Sequence, residues 1–370
     1  MAEPIRILTA VPICDGHDSA ILTINTEFIR HGIEVIYLGY HRPARDIVRA
    51  AVQEEVRAIG ISSYNGGHVE FFSEVLALLR KENAKHIGLF GGGGGTITKA
   101  DAAIMQRRGV DRIFFAGTPF EEMIRFVKES YGRGSARAAR SREQVLHRFA
   151  RKGLGVQTHG PALVIGVAGP GGTGKTTLID ELVLRFLRSD LRKRIAILSH
   201  DPSVVGKGAL LGDRAAMIYS QDDRVFMHSL ATRGAVGGLS ATTEPWLRSL
   251  KHAGFDIVFV ETVGIGQEAM PFARSLADCR VLVMSPEYGS RLQLQKIVML
   301  DTADIVVLNK ADAAGARTAR SEVGQRLDLN AREQKLVATI ASQHGDPGVD
   351  ELFCLLEKMR KEKLLSDIGT

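Results

Sequence analysis

Three short stretches of this chain hold residues whose types and spacing could do chemistry. Residues 169–176 read GPGGTGKT, a G-x-x-x-x-G-K-S/T pattern, between an apolar run and an apolar-periodic stretch at 177–187. Glycines there let backbone amides converge on phosphate oxygens, and the helix that follows adds the partial positive charge of its N-terminus. Lys175 is suited to neutralise β and γ phosphates and the Thr176 hydroxyl to ligate magnesium, with Gly169, Gly172, Thr173, Gly174 and Thr177 completing the cradle. Farther along, residues 309–312 read NKAD after the apolar run 304–308. The Asp312 carboxylate can accept from the guanine ring N–H and its exocyclic amine, whereas adenine offers no such donor pair. Asn309, Lys310, Ala311 and Asp312 therefore predict GTP over ATP. The third stretch is Asp15, Gly16, His17 and Asp18, in the loop after the first apolar run. An aspartate two residues before a histidine can hold one ring nitrogen and orient the other towards a metal. Such a pair in a loop is more often a structural hydrogen bond, and the residues alone leave both readings open.

Residues of these kinds need elements that present them from one edge of a sheet. Apolar, β-branched runs at 5–11, 35–38, 58–62, 86–90 and 112–115 alternate with longer amphipathic stretches. That alternation predicts a doubly wound parallel α/β sheet, with its ligand at the carboxyl ends of the strands. A second alternation runs through 163–168, 194–198, 257–261, 281–284, 305–308 and 336–340. The fold class expected is thus α/β with two doubly wound parallel-sheet domains, at 1–131 and 161–370. Between them, residues 132–160 read as a basic linker around a short helix, for which SREQ at 141–144 is a capping box.

The composition bounds the function. A chain of 370 residues with 45% hydrophobic and 24% charged residues has room for two cores. No apolar run approaches the roughly 20 residues of a bilayer span, and the N-terminus lacks the pattern of a secretory signal, so a cytoplasmic protein with no membrane partner is expected. Cys14, Cys279 and Cys354 are widely separated, as reduced thiols are, and do not make a disulfide framework or a zinc site. The net charge of +6 lies within residues 131–152, where Arg133, Arg137, Arg140, Arg142, Arg148, Arg151 and Lys152 face a single acid, Glu143. The remainder is neutral and lacks the distributed basic face that nucleic acid requires, which excludes that partner.

Further motifs surround the phosphate loop in order: DPS at 201–203, LGDR at 211–214, ATRG at 231–234, GGLS at 237–240 and ETVGIGQ at 261–267. With them, residues 160–355 resemble the GTPase chaperones of adenosylcobalamin-dependent acyl-CoA mutases. The resemblance implies that Thr176, Asp201, Asp213, Glu261 and Thr262 surround magnesium. It implies that Lys175, Asp201, Glu261 and Lys296 serve GTP hydrolysis, with Lys296, in LQLQK at 292–296, on a mobile loop that responds to the partner protein. Without it, three spaced acids could be surface charges or helix caps, although their positions after strands favour ligands. Two departures stand out. The stretch between Asp201 and Asp213 is one residue shorter than the family's, which has two glycines, and Ala216 stands where the family has a cation. Both point to slower or differently regulated hydrolysis.

The N-terminal domain carries SSYNGGH at 62–68 and five glycines at 91–95 after its third and fourth strands. Residues 5 to about 128 resemble the cobalamin-binding domain with its D-x-H-x-x-G, S-x-L and G-G motifs, and both domains in this order resemble the N-terminal third of fused isobutyryl-CoA mutases. Carried over, His17 ligates cobalt, Asp15 orients it, Ser62 meets the base of the cofactor tail, and Gly91 and Gly92 make room, with Gly16, Asp18 and Tyr64 in the same motifs. Ala20 stands where the motif has glycine and Tyr64 where it has leucine. An acyl-CoA-binding barrel needs roughly 250 residues, and only a short helix at 350–365 is expected after the GTPase. The implied protein is a cobalamin-binding small subunit fused to its own GTPase chaperone. It uses adenosylcobalamin, magnesium and GTP and works with a separate large subunit; a cobalamin adenosyltransferase and a second copy in a homodimer are further partners. Two rivals are a dedicated cobalamin-ferrying metallochaperone and a non-enzymatic cobalamin sensor. A sensor needs an output module, and no helix-turn-helix or kinase-like pattern is present. Isobutyryl, 2-hydroxyisobutyryl, methylmalonyl and ethylmalonyl thioesters all remain open as substrates.

Overall fold

The computed structural model describes the chain at all residues except 1–3, 14, 18, 133–142, 147–148, 150–160, 205–206, 236, 265–271, 274, 289–297, 331 and 369–370. Most of the expected basic linker, Cys14, Asp18 and Lys296 lie outside the described residues. The chain forms two compact units, one of Met1–Val145 with Ser203–Ala215 and one of Leu146–Pro202 with Ala216–Thr370.

In the first unit the apolar runs form β1 (Arg6–Ala10), β2 (Glu34–Tyr37), β3 (Ala58–Ser62), β4 (Gly88–Gly92) and β5 (Arg112–Phe114). All pair in parallel in the order β5-β4-β3-β1-β2, and a two-residue strand, β8 in chain order (Leu210–Leu211), joins beyond β2. β1 and β3 are buried almost throughout, because a parallel sheet is covered on both faces by its crossover helices. These helices are α1 (Ser19–Arg30), α2 (Ala44–Gln53), α3 (His68–Lys81), α4 (Lys99–Arg108) and α5 (Phe120–Tyr131). A capping box starts α4: the Thr98 hydroxyl accepts from the Asp101 amide and the Asp101 carboxylate accepts from the Thr98 amide, each at 3.1 Å. Phe28, Phe90, Phe114 and Tyr131 meet in the core. β2 and β3 flank β1 on opposite sides, so the winding reverses beside β1 and the crevice lies at the carboxyl ends of β1 and β3.

The second unit is a seven-stranded sheet in the order β13-β12-β11-β6-β10-β7-β9. Its strands are β6 (Leu163–Ala168), β7 (Ile195–Asp201), β9 (Val225–Ala231), β10 (Ile257–Glu261), β11 (Cys279–Met284), β12 (Ile305–Asn309) and β13 (Lys335–Thr339), all parallel. Helix α6 (Lys175–Ser189) follows β6 and packs Phe186 against Phe353 of the C-terminal helix Pro347–Ile368, ring centroids 5.0 Å apart. Two doubly wound parallel sheets are the expected class. β9 is a strand that the periodicity reading does not include: it is wholly buried, but His228 and Ser229 break its apolar run. His228 is accommodated by Trp246, ring centroids 4.0 Å apart. Among the described residues no helix is long and apolar enough to cross a membrane.

Candidate functional site

In the first unit the loop after β1 turns on Asp15, which is fully buried. Its Oδ1 accepts from the His17 amide at 3.0 Å and lies 2.8 Å from His17 Nδ1, while Oδ2 accepts from the Tyr64 amide in the loop after β3. Burial raises the carboxyl pKa, but the amides of Tyr64 and His17 outweigh it and hold the group below its ordinary value. Asp15 is therefore an anion at neutral pH, and His17 Nδ1 is the donor towards it. The His17 side chain is 67% exposed, which leaves Nε2 as the ring nitrogen available to a ligand. Its ring stands 5.7 Å from that of Tyr64.

Tyr64 also borders a cavity of about 460 Å³ at the carboxyl ends of the strands, whose wall includes Thr9, Ser62, Phe90, Gly91 and Gly92. The Thr9 hydroxyl is buried there without a hydrogen-bond partner, a polar atom that a ligand could satisfy. Gly91 and Gly92 line the cavity with their backbone, and their lack of a side chain serves neighbours as well: a Cβ at 91 would meet the Ile61 carbonyl and Phe72, and one at 92 the Phe114 carbonyl. The mostly apolar wall fits a flat heteroaromatic group, and the anion-held imidazole beside it presents Nε2 for a metal. Residues 114–120 complete the wall and carry no motif, so the sequence reading does not reach them.

In the second unit the phosphate loop follows β6. Gly174 has φ of +87° and packs so closely on the Asn309 amide that a side chain would collide with it. Asn309 Nδ2 donates to the Thr173 carbonyl at 2.8 Å, and its Oδ1 accepts from Thr339 Oγ1 and the Ala341 amide, each at 3.0 Å. Asn309 is thus a brace between the loop and β13, and Lys310 (φ +59°) and exposed Asp312 follow it. Lys175 is buried, its Nζ donating to the Gly169 and Pro170 carbonyls at 3.0 Å, across the mouth of the loop. Thr176 Oγ1 donates to Glu261 Oε1 at 2.7 Å, and the adjacent Thr262 hydroxyl is buried without a hydrogen-bond partner. Asp201 ends β7, next to β10. The chain therefore brings Lys175, Thr176, Asp201, Glu261 and Thr262 to the carboxyl ends of three neighbouring strands. Asp213 belongs to the stretch that joins the first unit. Among the described residues no three His, Cys, Asp or Glu side chains form a ready metal cluster. A P-loop magnesium differs in kind, since a hydroxyl, substrate phosphates and waters supply most of its ligands.

Sequence reasoning passes over His200. Its ring is buried, Nδ1 donating to the Glu261 carbonyl at 2.7 Å, with Nε2 2.7 Å from Thr243 Oγ1. It ties the end of β7 to the end of β10 beneath Asp201 and Glu261. Burial depresses its pKa to about 4 against the raising effect of the Glu261 carbonyl, so it is neutral.

Residues 133–366 match the family described as Methylmalonyl Co-A mutase-associated GTPase MeaB, and residues 5–124 match the B12 binding domain. A fused isobutyryl-CoA mutase of Geobacillus kaustophilus is 36% identical over 393 residues, covering 95% of this chain and 36% of its own. One from Cupriavidus metallidurans is 36% identical over 386 residues, covering 95% and 35%. This chain spans about a third of the length of these curated relatives. Among solved structures, HypB from Helicobacter pylori in complex with nickel covers 60% of this chain and 94% of its own at 18% identity and a TM-score of 0.43. With the family match extending over more than half of the chain and including the phosphate loop and Asn309 to Asp312, the protein belongs to the mutase-associated GTPases of the MeaB family and carries a B12-binding domain ahead of its GTPase.

Proposed function

We propose that this chain is the adenosylcobalamin-binding small subunit of an acyl-CoA mutase, joined to a GTPase that gates loading and repair of the cofactor, and that it works with a separate acyl-CoA-binding large subunit. The observation that carries the reading is the buried Asp15 holding His17 beside the cavity at the carboxyl ends of β1 and β3, on one chain with a P-loop GTPase. In this reading His17 Nε2 ligates cobalt while Asp15 fixes the ring, and Ser62 and Tyr64 border the space for the displaced tail base. The cofactor, once bound, supplies the radical chemistry of the carbon-skeleton rearrangement. The protein contributes orientation and a wall that excludes water.

On the nucleotide side Lys175 turns from the Gly169 and Pro170 carbonyls to the β and γ phosphates, and Asp312 reads guanine. Thr176, Asp201, Asp213, Glu261 and Thr262 provide the surroundings of magnesium. A water attacks the γ phosphorus in line and GDP leaves, with Lys175 offsetting charge that builds on the phosphate oxygens. Lys296 answers the large subunit, and an adenosyltransferase and a second copy are further partners in this reading. The test combines the purified chain, adenosylcobalamin and the large subunit and measures acyl-CoA rearrangement. Turnover that disappears with His17→Ala supports the reading. Cobalamin that passes to another protein while no large subunit yields rearrangement would establish a ferrying chaperone instead.

A further inference from the structure

The sheet of the first unit does not end at β2. After β7 closes at Asp201 the chain lays Ser203–Ala215 into the first unit and resumes the second at Ala216. Leu210 and Leu211 pair in parallel with Val35 and Ile36. The Val35 amide donates to the Ala209 carbonyl at 2.8 Å and the Gly208 amide to the Ile29 carbonyl at 2.9 Å. Gly208 approaches so closely that a Cβ would run into the Ile33 carbonyl. Beside this strand Arg214 is fully buried; it donates to Glu54 Oε1 at 3.0 Å and to Gln53 Oε1. Arg42 donates to the Ala215 carbonyl at 2.9 Å. A buried guanidinium with a buried carboxylate resists a slip of even one residue, because the slip would strand two charges.

Both ends of the stretch run straight into the nucleotide unit. Asp201 stands just ahead of it, and the returning chain is pinned by Asp180 of the phosphate-loop helix, whose carboxylate accepts from the Ile218 and Tyr219 amides at 3.0 and 2.9 Å. On the other side β2 leads to the His17 loop. The Val11 amide donates to the Gly39 carbonyl at 3.1 Å and the Arg42 amide to the Val11 carbonyl at 3.0 Å. His41 Nδ1 lies 3.0 Å from the Ile13 carbonyl, two residues before Asp15. Bonded contacts therefore run without a break from Arg214 to the loop that holds Asp15 and His17.

We propose that residues 207–215 are a nucleotide-responsive edge strand of the cobalamin-domain sheet, with Arg214 the positioning residue that fixes it. The proposal rests on the gating function proposed above and names the element that carries it. Two-residue β8 is the natural place to yield, since few backbone bonds hold it while both of its flanks are anchored. Loss of the γ phosphate loosens the chain after Asp201, the β8 register loosens with it, and the 39–42 turn transmits the change to the His17 loop.

The direct test is hydrogen exchange on the full chain with magnesium and either GDP or a non-hydrolysable GTP analogue. The Val35 amide should exchange at least tenfold faster with GDP, and the Leu89 amide, bonded to Asp111 at 2.9 Å in β4, should not change. Equal Val35 rates in the two nucleotide states overturn the proposal. The second arm pairs Arg214→Met with Glu54→Met, which removes the ion pair without leaving a lone charge. Cobalamin affinity without nucleotide should stay within twofold of wild type, while the effect of the GTP analogue on that affinity falls to less than twofold. A wild-type effect in this variant also overturns the proposal, and if the variant does not fold, Gly208→Ala takes its place. A wild-type protein whose cobalamin affinity ignores GTP sinks the gating function itself, and Val35 exchange still decides whether β8 responds to nucleotide.

Discussion

Replacing Asp15 by asparagine keeps the shape of the side chain and removes its charge, which isolates what the carboxylate does for His17. The wild-type carboxylate accepts three N–H groups: two from His17 on Oδ1, and one from Tyr64 on Oδ2. An amide offers only one oxygen. In its least costly orientation that oxygen stays with His17 and the NH2 faces the Tyr64 amide, leaving a buried donor unbonded at a cost of about 1–3 kcal/mol. The two remaining bonds to His17 fall from charge-assisted to neutral, a loss of about 1 kcal/mol each. Part of this penalty appears in folding stability. The part that appears in binding should weaken cobalamin by about 10–100-fold, the usual cost of losing the group behind a metal-bound histidine. Titration followed by absorbance gives the affinity, and electron paramagnetic resonance of the cob(II)alamin form shows whether the histidine or the cofactor's own benzimidazole nitrogen couples to cobalt. Binding within twofold of wild type, with the histidine signature intact, would refute the role given to Asp15.

Asp312→Ala should lower GTP affinity towards that for ATP, and calorimetry showing equal affinity for both nucleotides in the wild type would remove the guanine assignment. Gly174→Ala forces a side chain at φ +87° into the Asn309 amide and should lower the melting temperature and abolish nucleotide binding; a normal P-loop in the variant contradicts the close packing. Lys296→Ala should blunt the rise in GTP hydrolysis caused by the large subunit, and undiminished stimulation would remove Lys296 from the switch. His200 makes a pH prediction: the unfolded chain takes its proton near 6.5 but the folded one only near 4, so this contribution is complete above pH 6.5 and lost as pH falls towards 4. It amounts to on the order of 3 kcal/mol, and denaturant unfolding of His200→Gln should show a shallower dependence of stability on pH in that window; identical pH dependence in both proteins would be the contrary result.

The parallel strands of both sheets are legible because they are buried on both faces and bounded by turn residues, which leaves continuous apolar runs such as 163–168 and 257–261. β9 breaks this rule through His228 and Ser229; the His228 ring is packed by Trp246 of the helix Thr243–His252, a partner outside the strand that leaves no apolar run in it. β8 could not be read at all. Leu210 and Leu211 form a strand only because β2 offers an open edge and Gly208 lets the backbone approach it, and a tertiary partner of that kind leaves no period in the sequence.

The site was legible where one residue type is needed for its chemistry and less so where its neighbours decide its role. Lys175 falls into the first class, a cation for phosphate. Asp15 and His17 fall into the second, because the pair alone reads as a structural hydrogen bond as well as a metal-orienting one, and their burial and partners come only with the fold. Gly91 and Gly92 fall into the second as well. Small residues after a strand announce that something comes close, and sequence alone assigns that closeness to a ligand. In the structure the approaching groups include the Ile61 and Phe114 carbonyls and the Phe72 ring. These glycines are therefore required by the sheet before any ligand enters, and the cavity they border is preformed. A preformed cavity does not have to be opened by the ligand, so binding energy that would have been spent on rearrangement remains for the Asp15–His17 loop. On the proposed function that loop, tied to the 39–42 turn through His41 and to the cavity wall through the Tyr64 amide, is where a change in the protein would alter cofactor affinity.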